Sequence, residues 1–206
     1  MAVIVCGADK SAKNISQYLK CSITQAVGDN EITVIALMSG SSEMAIRNMW
    51  ESPFSGDSIG DAGSMDRFTN LAQVKTQSTA KTTLSSQLVW EGAEPPEVPI
   101  QLLLSAYSDA KHEVDDPINY LMQFSSANLR ANMPIGLDGQ VGRIPSPATF
   151  NIGRKMIAPM IIKDVSFDLN APKTSDGYYA YNTVALTVSM PRMINRYDIP
   201  NVFPVA

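Results

Sequence analysis

The chain has 206 residues, with hydrophobic residues at 45%, charged residues at only 17%, and 12 glycines and 13 prolines. That mix fits one large folded domain and excludes collagen-like and low-complexity disordered classes. Lys and Arg total 16 against 20 Asp and Glu, a net charge of -4, so the basic footprint needed to wrap nucleic acid is absent.

The first residues form a short apolar run with no basic flank, and no apolar stretch approaches the roughly 18 residues of a membrane helix, so neither a signal peptide nor a membrane span is expected. Ile15, Tyr18 and Leu19 have spacing that fits a short helix or an ordered arm. Residues 32–38 (ITVIALM) read as a buried strand. Met44, Ile46, Met49 and Trp50 follow, as either a helix or an extended arm. Residues 52–64 are rich in Gly and Ser and read as a long loop, the kind that is ordered by function or by a partner.

Residues 71–76 and 83–90 read as strands, with Leu84, Leu88 and Trp90 on one face and Trp90 expected in the core. After a Pro-rich acidic connection, residues 98–107 place Ile100, Leu102, Leu104 and Ala106 on one face, and Pro99 confines the strand's start to an entrance or an edge. Asp116-Pro117 reads as a helix start, with Ile118, Leu121, Met122, Ser125 and Leu129 as its apolar stripe. Residues 132–150 are a second breaker-rich loop. Residues 158–169, with Val165, Phe167 and Leu169 on one face, and residues 183–190, with Val184, Leu186, Val188 and Met190 inward, form a closing hairpin whose tip holds Asp176-Gly177 and three tyrosines. Strands around one good helix predict an α+β, mostly-β fold: a small antiparallel barrel or sandwich in a single domain. Its arm and loops span about residues 1–70, its barrel about 71–193 and its extended tail 194–206.

Catalytic signatures are weak. Gly56-Asp-Ser-Ile-Gly60 matches GxSxG formally, but Ser58 lies mid-loop with no strand leading in, and His112 is the only histidine. Cys6 and Cys21 are expected to be free thiols, since their spacing fits neither a zinc site nor a disulfide scaffold. The acidic pairs Asp115/Asp116 and Glu91/Glu94 read as caps and loop charges. No catalytic residue, metal or cofactor is expected. Met133 and Met156, in or beside loops, are candidate subunit contacts, as are Tyr178 and Tyr179 at the hairpin tip. The Pro-interrupted apolar tail, with Ile199 and Phe203, packs either on its own barrel or on a neighbouring chain.

Two segments carry a resemblance. One runs from residue 82 to 107 through Val89-Trp90-Glu91-Gly92 and on to the Asp116-Pro117 helix. The other is the pair of strands at 158–169 and 183–190 with its Pro/Asp-Gly tip. In that order they resemble the tail-tube fold of contractile-tailed bacteriophages, above all the baseplate proteins that initiate the tube. The resemblance implies a barrel with one flanking helix and a homohexameric ring around the DNA channel, with DNA passing unbound. It also implies contacts to the central hub, the tail tube protein and the tape measure protein, and a place in the virion baseplate after assembly in the host cytoplasm. It implies no enzymatic activity and no membrane contact. Under it, Ser52, Phe54 and Ile59 of the first loop and Ile135 of the second join the candidate interface residues. A tail tube subunit, a small ligand-binding β module stacking ligand on Trp50, Trp90, Tyr178, Tyr179 and Tyr181, and a hydrolase using Ser58 are the competing readings.

Overall fold

The structure, a computed structural model, describes residues 2–8, 14–51, 88–127 and 145–204. It divides into two units, Met1–Ala45 with Pro95–Ala206, and Ile46–Glu94. The described strands are β1 (Ala2–Gly7), β2 (Lys20–Val27), β3 (Asn30–Met38), β4 (Asn48–Glu51), β5 (Val89–Ala93), β6 (Glu97–Ser105), β7 (Ala148–Ile152), β8 (Met156–Phe167) and β9 (Tyr181–Ser189). The expected strands at 71–76 and 83–87 lie outside the described residues.

In the larger unit β3, β2, β7, β8, β9 and β6 pair antiparallel in that order. Leu37 opposite Leu103 and Met38 opposite Leu102 return β6 to β3 and close a six-strand barrel. The fold is mostly β with one main helix. The barrel therefore begins well before residue 71, where the sequence reading placed its start. Alternation in β2 and β3 explains this: Cys21, Ile23, Ile32, Val34 and Ala36 point inward and are buried. A two-residue turn at Gly28-Asp29 joins the pair, with Gly28 at φ +61, a conformation glycine adopts without steric cost. Outside the barrel, β1 runs parallel along β3 from Asn30 to Ile35.

β6 and β9 alternate as expected, burying Ile100, Leu102 and Leu104 against Val184, Leu186 and Val188. Met190 donates its N–H to Pro96 and Ala106 donates to Ala180, so the even-numbered residues of β6 hydrogen-bond to β9. The missing N–H of Pro99 then faces the opposite edge, where β3 does not reach. β8 switches phase within its length. Met156, Ala158, Met160 and Ile162 point inward, then Val165 and Phe167 do, because Ile162 pairs with Val188 and Asp164 with Thr187, leaving Lys163 as the extra residue of a bulge. The breaker-rich loop ends earlier than expected, since Ala148 and Phe150 of β7 are buried core residues.

The helix α1 (Asp116–Ser125) follows a single π-type turn over Lys111–Asp115. Helical structure thus starts one turn before Asp116-Pro117, and Asp109, which accepts the N–H groups of Lys111 and His112, caps it. Pro117 lacks the N–H that would bond one turn back, and the widened turn before it accommodates that loss. Pro117, Ile118, Leu121 and Phe124 form the buried face, while Met122 of the expected stripe is exposed. α1 packs on β8, β3 and β1. β3 and β8 stand opposite each other in the six-strand ring, so α1 lies across one mouth of the barrel and its apolar face plugs that end.

Candidate interaction surfaces

At the mouth closed by α1, the chain between β6 and the π turn meets the 168–180 hairpin tip. Glu113, only 2% exposed, accepts the backbone N–H groups of Tyr107, Ser108 and Asp109 and the Ser108 hydroxyl. Burial alone would raise its pKa, but these donors outweigh burial and hold the carboxyl below its ordinary value. Asp115 accepts the N–H of Tyr179 at 3.1 Å, and the Ala106 N–H bonds Ala180, so the two segments are stitched together. The buried Asn182 brackets Asp168, accepting its N–H and donating to its carbonyl.

This frame presents apolar side chains to solvent. Tyr107 is 84% exposed and Leu169 66%, with Tyr181 beside them, opposite Ser105 in the ladder. Tyr178 and Tyr179, expected to be exposed, are half-buried. Tyr179 stands edge-on to Phe167 with the Lys173 ammonium over its ring, and its hydroxyl donates to the Leu169 carbonyl. The sequence reading found the hairpin tip but missed Tyr107 and Leu169, whose exposure depends on which residues of other segments lie next to them.

Met156, expected at a subunit contact, belongs to the core, because it opens β8 on the inward face opposite Ile152. Ile199, in a helical turn at Ile199–Val202, is 37% exposed. Phe203 and Ile194 pack against the barrel core, so part of the tail covers its own barrel. Ser52, Phe54, Ile59, Met133, Ile135 and Ser58 lie outside the described residues.

In the smaller unit the described residues include a two-stranded ribbon of β4 and β5. Trp50 pairs with Trp90 next to a bulge, and the Trp90 indole donates to Asn48 at 3.3 Å. Trp90, expected in the core, is 48% exposed and Trp50 54%, with Met49, Leu88 and Val89 also open to solvent. Strand alternation puts Met49 and Trp50 on opposite faces, so both sides of the ribbon carry large apolar groups.

Cys6 and Cys21 are buried free thiols. Burial pushes both up to about 12, with the Asp116 carboxylate adding to the shift of Cys6. His112 stands 3.9 Å from Asp116 on the π turn. Among the described residues no group of three or more His, Cys, Asp or Glu is arranged to hold a metal ion, and no helix is long and apolar enough to cross a membrane. No protein-family model and no curated protein matches this sequence.

Proposed function

We propose that this chain is a structural ring protein of a contractile phage-tail baseplate, which joins the central hub to the tail tube, initiates tube assembly and surrounds the DNA channel without binding DNA. The observation that carries this reading is the β4–β5 ribbon. Among the described residues it carries Met49, Trp50, Val89 and Trp90 open to solvent on its two faces, an apolar surface that a partner would cover. A neighbouring copy in a ring supplies that cover, and a head-to-tail interface that closes gives a ring. The barrel itself is filled by side chains such as Phe150, Leu102 and Leu186. A conduit is therefore formed between copies, not through one.

The architecture is also the one the resemblance calls for, a small barrel with one accompanying helix. The experiment is electron microscopy of the purified full chain and of a Trp50→Ser/Trp90→Ser variant. Six-fold rings in the first and their loss in the second, with barrel stability unchanged, support the reading. A wild-type chain that remains a monomer at high concentration refutes it.

A further inference from the structure

The chain leaves the barrel at Met190, whose N–H to Pro96 is its last described bond to the ladder. From Pro191 to Pro204 the described hydrogen bonds stay inside the segment. Tyr197 donates its N–H to the Asn195 side chain at 3.1 Å, and Asp198 to the Asn195 carbonyl at 2.9 Å. Asn201 and Val202 donate to the Asp198 carbonyl at 3.0 Å, and Phe203 to that of Ile199 at 2.9 Å. Among the described residues no hydrogen bond or ion pair ties this stretch to a strand, so apolar side chains hold it in place.

Three side chains act as anchors. Ile194, Val202 and Phe203 are half-buried against the core, and the helical turn Ile199–Val202 packs on β8. The rest of the segment is open to solvent: Tyr197 is 84% exposed, Met193 50% and Ile199 37%. Pro191 ends the ladder after β9, having no N–H with which to continue it. The core cluster that the anchors join contains Met156 and Met160 of β8 and Met190 at the root of the segment. Unbranched thioether side chains repack readily when their cover changes. Few apolar contacts and no backbone ties to the barrel mark a unit that opens below the free energy of global unfolding.

We infer that residues 191–204 are a displaceable strap, which leaves β8 as one unit while the barrel stays folded. What it uncovers is an apolar seat for an extended segment whose anchors have the spacing of Ile194, Val202 and Phe203. The strap is an autoinhibitory occupant of that seat. A competing segment binds only the open fraction of the chain, and its apparent affinity is reduced by that fraction. A segment lacking those anchors has no preference for the open state and shifts nothing. The device uses the barrel and not the β4–β5 ribbon, so it stands or falls apart from the ring reading.

The test uses the full chain, with a fluorescent peptide of residues 191–206 as the competitor. Hydrogen exchange of the unaltered chain is expected to show the Asn201, Val202 and Phe203 amides opening together, at least about 100-fold more often than the β9 core amides. Fluorescence anisotropy is expected to show weak uptake of the peptide by the unaltered chain. Val202→Ser/Phe203→Ser in the chain weakens the resident strap and is expected to raise the affinity for the peptide at least about tenfold. The same two changes placed in the peptide abolish its uptake. Tyr197→Ala, at an exposed position, leaves both readouts unchanged. Circular dichroism reports whether each variant keeps the barrel. Strap amides that exchange only together with β9 overturn the strap. So does a double variant that takes up no more peptide than the unaltered chain, or one that loses the barrel, since the segment is then integral to the fold.

Discussion

The carboxylate of Asp115 accepts the backbone N–H of Tyr179 at 3.1 Å, bridging 64 residues of sequence and fixing the hairpin tip to the π turn that leads into α1. Asp115→Ala leaves that amide without its acceptor and is expected to cost about 1–2 kcal/mol in urea unfolding. Asp115→Asn keeps an acceptor oxygen and is expected to cost about half as much. Hydrogen exchange gives a local readout: the Tyr179 amide exchanges faster in the alanine variant while the β9 core amides keep their relative order.

Glu113 makes stability depend on pH in a definite direction. Its folded pKa lies below the ordinary value of 4.5, held there by the N–H groups of Tyr107, Ser108 and Asp109 against the opposing effect of burial. The unfolded chain binds the proton more readily, so the stabilisation is complete above about pH 4.5 and is lost as pH falls through the folded pKa. Glu113→Gln is expected to lose about 2 kcal/mol at neutral pH and to show a flatter stability profile below pH 4.5 than the wild type. An unchanged acid limb in the variant would assign that limb to other carboxylates.

How legible these features were in the sequence depended on how regular each strand is. β9 was readable because Val184, Leu186, Val188 and Met190 alternate without interruption. β8 was only half readable: its bulge moves the inward set from even to odd numbers, and the even half, from Met156 to Ile162, was missed. β2 was missed because its inward positions include the polar Gln25, whose amide is satisfied by the Ser146 carbonyl far along the chain. Asp116-Pro117 signalled the helix but misplaced its start, since the cap is supplied by Asp109 and the proline is absorbed by a π turn. At the candidate surfaces, residue type alone placed Trp90 inside and Tyr178 outside. Burial there is decided by tertiary neighbours.

The two thiols supply a test of the barrel itself. Cys6 and Cys21 lie in the core, and burial raises both to about 12. A thiol reagent at pH 8 is therefore expected to find essentially no reactive cysteine in the native protein and both after denaturation. Labelling of the folded chain at the rate of a free thiol would contradict the packing of β1 and β2 described above.

The bulge at Lys163 shifts the inward set of β8 from even to odd residue numbers, and its removal tests what the bend itself contributes. Lys163 has no cross-strand partner, and its side chain, like that of Glu97, is about half exposed. Lys163→Ala therefore removes only a surface ion pair and is expected to cost less than about 0.5 kcal/mol. Deleting the residue leaves Ile162 opposite Val188 and Asp164 opposite Thr187 as consecutive pairs, so the ladder becomes continuous and Val165 and Phe167 keep their inward face. What is lost is the local bend and extra twist of the bulge, and the deletion is expected to cost about 0.5–3 kcal/mol with a cooperative thermal transition retained. A deletion variant without a cooperative transition would mean that the bend at the bulge is needed for the barrel to close.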